Sequence, residues 1–161
     1  MRCLVVDDAQ ELAMLWQLEL AARGFDVDVA LNAEQAFRSM LHTRYDLIVA
    51  DLGLPDGSGV TVAQSAAMRA PEADVVVVTA RTEFPNGELF GMSDNIVGVF
   101  RKSADMADFF AFVEHLRSRR ARDEASDARR GRGAAEADRA GEDIFGPAWG
   151  KARKISADAA E

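Results

Sequence analysis

The chain has 161 residues, 48% of them hydrophobic, which suits one soluble domain with a sizeable core and a remainder. Cys3 is the only cysteine, so an internal disulfide and a thiolate metal cluster are both excluded. The formal charge of −8 is uneven: residues 1–116 carry 18 acidic against 8 basic side chains, and residues 117–161 carry 11 basic against 9 acidic. An acidic main body repels phosphates, which argues against nucleic acid as its partner.

"RCLVV" (2–6) predicts a short β-branched strand ending in acid, with Cys3 as a buried, inert thiol. Residues 9–23 predict a helix carrying Leu12, Leu15, Trp16, Leu18, Leu20 and Ala22, stopped by Gly24. "FDVDVA" (25–30) alternates as a strand does. Asn32 caps a second helix through Ala33, Ala36, Phe37 and Met40 to about His42. "DLIVA" (46–50) is a third strand, and Ser58 or Gly59 opens a helix through Met68 with Pro71 beyond its end. "DVVVVTA" (74–80) is the strongest strand signal. A turn-rich stretch leads to a short helix near 87–93, "IVGVF" (96–100) is a fifth strand, and Ala104 or Asp105 starts a last helix with Phe109, Phe112, Val113 and Leu116 on its core side. Five strands interleaved with five helices, the strands this apolar, predict a parallel sheet covered on both faces: a doubly wound α/β fold. The absence of an apolar run of spanning length, and the early acids of "MRCLVVDD", set the expectation of a cytoplasmic protein without a leader or membrane contact.

In such a sheet Asp7 and Asp8 end the first strand, Asp51 the third and Thr79 the fourth, with Lys102 just past the fifth. All converge on the carboxyl edge, where ligands bind in open α/β sheets. Singly, each has a plainer reading as a solvated strand end, a loop cap or a surface charge. Together, three carboxylates repel one another unless a cation intervenes, and their oxygens suit Mg²⁺, a hard octahedral ion. An Asp carboxylate is a competent nucleophile towards phosphorus. Thr79 can donate to a phosphoryl oxygen, Lys102 can neutralise charge, and the bend at Pro55 and its glycines lets the Gly53 carbonyl reach the metal.

"VVDD" (5–8), "DLGLPDGSG" (51–59), "VVVVTA" (75–80) and "FRK" (100–102), in this order and at these strand ends, resemble the receiver domain of bacterial two-component response regulators over roughly residues 1–118. The resemblance implies a five-stranded flavodoxin-like sheet of order 2-1-3-4-5. It implies that Asp51 accepts phosphate from the phosphohistidine of a histidine kinase or phosphotransfer protein. It implies that Asp8 binds Mg²⁺ directly, that Asp7 helps through water, and that the Gly53 carbonyl and Asp51 complete the protein ligands. It also implies that Thr79 moves towards the phosphoryl group and that Lys102 pairs with it. By the same resemblance, the added charge would bias a two-state rearrangement read by a downstream protein.

Three positions depart from the family. Ser103 stands where proline usually follows the lysine. Val99 stands where an aromatic residue usually sits, with Phe100 one step along and so on the opposite face. "FGMSDNIVGVF" replaces the usual Gly-Ala landmark. Gly53 and Arg81 occupy positions that tune phosphate lifetime in the family. Beyond residue 118 the chain is charged and Ala/Gly-rich, either a helical extension or disordered, and too short for a second core. Its "EDIFGPAWGKARKIS" (142–156) carries Ile144, Phe145 and Trp149, either a docking segment or stray aromatics. The leading reading is a single-domain response regulator, monomer or homodimer, acting by protein contact or phosphorelay. A phosphorylation-independent adaptor and a Mg²⁺-dependent phosphohydrolase are the alternatives, the last disfavoured by Gly53 where a second acid is usual.

Overall fold

The computed structural model describes residues 1–80, 88–102 and 106–144, with side chains as far as residue 130 except those of Glu88 and Phe90. Arg81, Phe84, Ser103 and most of the 142–156 segment lie outside the described residues. The chain divides into two units, Met1–Glu114 and His115–Glu161.

The first unit is built on five parallel strands, β1 (Arg2–Val6), β2 (Asp26–Ala30), β3 (Leu47–Asp51), β4 (Asp74–Thr79) and β5 (Ile96–Arg101), in the order β2-β1-β3-β4-β5. This is the predicted sheet. β4 is buried along its whole length and β3 over its first four residues, as strands covered on both faces must be. Cys3 is buried, and burial pushes its thiol pKa up, away from reactivity.

Four α-helices are described: α1 (Gln10–Ala22), α2 (Ala33–His42), α3 (Gly59–Arg69) and α4 (Ala107–Ile144). The local signals act as their chemistry requires. Gly24 adopts φ 84°, the left-handed stop after α1. The Asn32 side chain accepts from Gln35 N, and Ser58 Oγ accepts from Val60 N. The helix expected near 87–93 is a single 3₁₀ turn, Glu88–Gly91, because "ELFG" offers no cap and no apolar stripe long enough to propagate a helix.

Packing settles which face of α1 is buried, which the sequence reading left open. Ala13, Trp16 and Leu20 are its buried residues, whereas Met14, Leu15 and Leu18 are exposed. A helix apolar on most sides has no period to select one face, so packing selects it. In α4, Phe109 and Val113 are buried and Phe112 is half-buried. Gly98 of β5 leaves room for the Phe112 ring, since a Cβ there would lie 2.8 Å from it. Val99 packs against the core cluster, while Phe100 meets Phe109 and Phe112 with ring centroids 5.6 and 5.4 Å away. The one-step displacement of the aromatic residue thus puts it on the α4 face.

Candidate functional site

β1 delivers Asp7 to the carboxyl edge. Asp7 N donates to Ala30 O, and Oδ1 accepts from Ala9 N at 3.0 Å, so the turn into α1 holds this carboxylate. Asp7 is buried and Asp8 is exposed. β3 ends on Asp51, next to β1 in the sheet. Asp7, Asp8 and Asp51 can each offer a carboxylate oxygen within 4.8 Å of the others. They form a hard-oxygen set that suits Mg²⁺ and could hold it, with the exposed Asp8 on the solvent side.

Lys102, one residue past β5, carries the counter-charge. Lys102 Nζ lies 2.7 Å from Asp7 Oδ2 and 3.0 Å from Asp51 Oδ2, bridging the two less exposed acids. Lys102 N donates to Thr79 O, which pins the lysine to the end of β4. Burial works against the ammonium, but its hydrogen bonds and charge interactions with Asp7 and Asp51 outweigh that and raise its pKa above the ordinary value. Thr79 is buried at the same edge. Gly53, half-buried, sits two residues past Asp51 between the buried Leu52 and Leu54. His42 and His115 are exposed, as befits solvated side chains.

The loop after β3 turns tightly. Leu54 and Gly57 form an antiparallel bridge, and Gly59 opens α3 against the backbone of Asp51. A Cβ at Gly59 would stand 2.6 Å from the Asp51 carbonyl oxygen, a backbone atom that cannot swing aside. Gly59→Ala is therefore expected to destabilise the first unit by about 2 kcal/mol, seen as a fall in the urea midpoint with the slope unchanged. An unchanged midpoint would show that α3 can shift at no cost.

Sequence reasoning missed Asp56. It reads as one more turn residue in "LPDGSG", yet its carboxylate accepts from Ala33 N at 2.8 Å and from Glu34 N at 2.9 Å. Nothing local signals a partner more than twenty residues away.

A family model of the response regulator receiver domain matches residues 3–114. The chain belongs to that family. The receiver is 32% identical over 103 residues to the transcriptional regulatory protein DltR of Streptococcus agalactiae, covering 62% of this chain and 46% of the relative. The receiver thus spans about half the length of such curated relatives. Among solved structures it resembles the response regulator TrrA of Thermotoga maritima, crystallised in complex with Mg²⁺-BeF, with a TM-score of 0.63 and 28% identity over 71% of this chain and 97% of that one. It matches equally the TrrA complex with histidine kinase ThkA, with a TM-score of 0.62 and 28% identity over the same shares. No helix among the described residues is long and apolar enough to cross a membrane.

Proposed function

We propose that this receiver is a signalling phospho-acceptor in which Asp51 takes a phosphoryl group from a histidine kinase or phosphotransfer protein. The observation that carries the reading is Lys102 bridging Asp7 and Asp51 beside the third acid, Asp8. A carboxylate oxygen of Asp51 attacks the phosphorus. The P–N bond of the donor phosphohistidine breaks, and its electron pair leaves with the imidazole, which takes up a proton. The product is an acyl phosphate on Asp51, and water later cleaves it to restore the carboxylate. Lys102 keeps one ammonium next to the growing negative charge, and the Thr79 hydroxyl supplies a donor from the neighbouring strand. Asp7, Asp8 and Asp51, with the Gly53 carbonyl, would hold Mg²⁺, which supplies charge neutralisation for the phosphoryl oxygens. The TrrA complex with Mg²⁺-BeF supports that ion, and the ThkA–TrrA complex supports a histidine kinase as donor.

The output is a protein contact or onward transfer in a phosphorelay. Met14, Leu15 and Leu18 give α1 an exposed apolar stripe suited to a protein partner. Beside it Leu15, Trp16, Lys102, Met106 and Phe110 help line a cavity of about 400 Å³.

The test is incubation of the full chain with a small acyl phosphate donor and Mg²⁺, read by intact mass. One phosphoryl group is expected on the wild type and none on Asp51→Asn. A wild type that gains no mass with Mg²⁺ present overturns the reading in favour of a phosphorylation-independent adaptor. Continuous turnover of many phosphate esters would point to a hydrolase.

A further inference from the structure

We infer that Asp56 is a positioning residue for the acceptor site, tethering the β3–α3 loop to the first turn of α2 and so orienting the Gly53 carbonyl. This rests on the metal set proposed above and adds the element that holds it in place.

The first turn of a helix leaves four N–H groups without intrahelical acceptors. In α2 three of these have partners from two sources. Asn32, the cap, accepts from Gln35 N through its side chain at 2.8 Å, while its carbonyl takes the first intrahelical bond, from Ala36 N at 3.1 Å. Ala33 N and Glu34 N both donate to Asp56, one to each carboxylate oxygen. A single acid from the acceptor loop completes the cap of a helix that lies 22 and 23 residues earlier in the chain. The two backbone bonds, first Ala33 and then Glu34, hold the Asp56 carboxyl below the usual carboxylate range. Gly57 lies against the same turn, where a Cβ would meet the Ala33 methyl at 3.3 Å.

The tether acts on Gly53 through the backbone. Leu54 and Gly57 are bridged, so fixing residues 56 and 57 fixes the backbone of Leu54. The carbonyl of Gly53 and the N–H of Leu54 share one rigid peptide plane. Its direction therefore follows from the bridge. Leu52 and Leu54 anchor the loop from the core side through their buried side chains. Pro55, Asp56 and Gly57 are exposed, and from this outer arc the Asp56 carboxylate reaches the first turn of α2.

The experiment compares two caps of one helix, only one of which belongs to the acceptor loop. Asp56→Ala and Asn32→Ala are each expected to lower Tm by a similar few degrees, about 3–5 °C, because each unsatisfies the first turn of α2. Calorimetric titration of the full chain with MgCl₂ should separate them. Asp56→Ala weakens Mg²⁺ binding by about tenfold, Asn32→Ala leaves it within about twofold, and Asp56→Asn, keeping one acceptor oxygen, falls between. Amide hydrogen exchange without metal should rise across residues 52–59 in Asp56→Ala and not in Asn32→Ala. Equal Mg²⁺ affinities, or equal losses in the two alanine variants, overturn the inference. A wild type that binds no Mg²⁺ overturns the metal set, whereas the exchange comparison judges the tether without it.

Discussion

Lys102→Ala is expected to slow phosphoryl transfer to Asp51 from a small donor by about 10²–10³-fold, the usual cost of removing one preorganised positive or donor group from a developing anion. The ammonium sits 3.0 Å from the Asp51 carboxylate, so under the proposed reaction it needs no rearrangement to act. The same substitution leaves Asp7 and Asp51, with side chains 4% and 11% exposed, facing one another without their shared cation. We expect a stability loss of about 2 kcal/mol in metal-free buffer, below the cost of breaking a fully buried pair because the site opens to solvent at Asp8. Added MgCl₂ should narrow the gap between variant and wild type. The pH dependence has a definite sign. The folded-state pKa of Lys102 is raised above 10.5, so its stabilisation is complete below that value and is lost only as pH climbs through the higher one. The Tm difference between wild type and variant should stay flat from roughly pH 6 to 9. Phosphorylation of Lys102→Ala at the wild-type rate would remove the lysine from the chemistry.

Trp16→Ala is expected to carry the largest stability loss of the single substitutions considered, about 3–5 kcal/mol, with Tm lower by more than about 10 °C. Trp16 is 4% exposed and stands edge-on to Phe109 with centroids 4.7 Å apart, with Phe110 at 5.9 Å. Phe109 in turn meets Phe100 of β5. This aromatic seam joins α1, α4 and the sheet. Arg23, ion-paired to Glu19 and Glu114, closes it over the Phe110 ring at 4.0 Å. Alanine would leave a void that rigid rings cannot collapse into, whereas Trp16→Phe keeps a ring for Phe109 to pack on and should cost less than half as much. Urea denaturation of both variants checks this. A loss below about 1 kcal/mol for Trp16→Ala would mean that the seam repacks freely.

Strand runs, caps and stops were legible because their causes are local. "DVVVVT" is buried along its whole length and reads as such, Asn32 and Ser58 bond N–H groups two or three residues away, and Gly24 supplies a backbone angle of its own. The clustering of Asp7, Asp8 and Asp51 was also within reach. A parallel sheet forces alternating β and α elements to place every strand end on one edge. The 3₁₀ turn at Glu88–Gly91 was harder to read, since four residues with one buried leucine support either a helix or a turn.

What the order of residues along the chain established is the class of fold, the edge on which the acids gather and the identity of the lysine beside them, because each follows from short-range patterning plus the handedness of the crossovers. Folding in three dimensions was needed to choose which side of α1 is buried, to set one ammonium between Asp7 and Asp51, and to send Asp56 to α2. Those are contacts between segments distant in sequence, and they depend on packing and on which hydrogen-bond groups remain unpaired, quantities that no window of neighbouring residues contains.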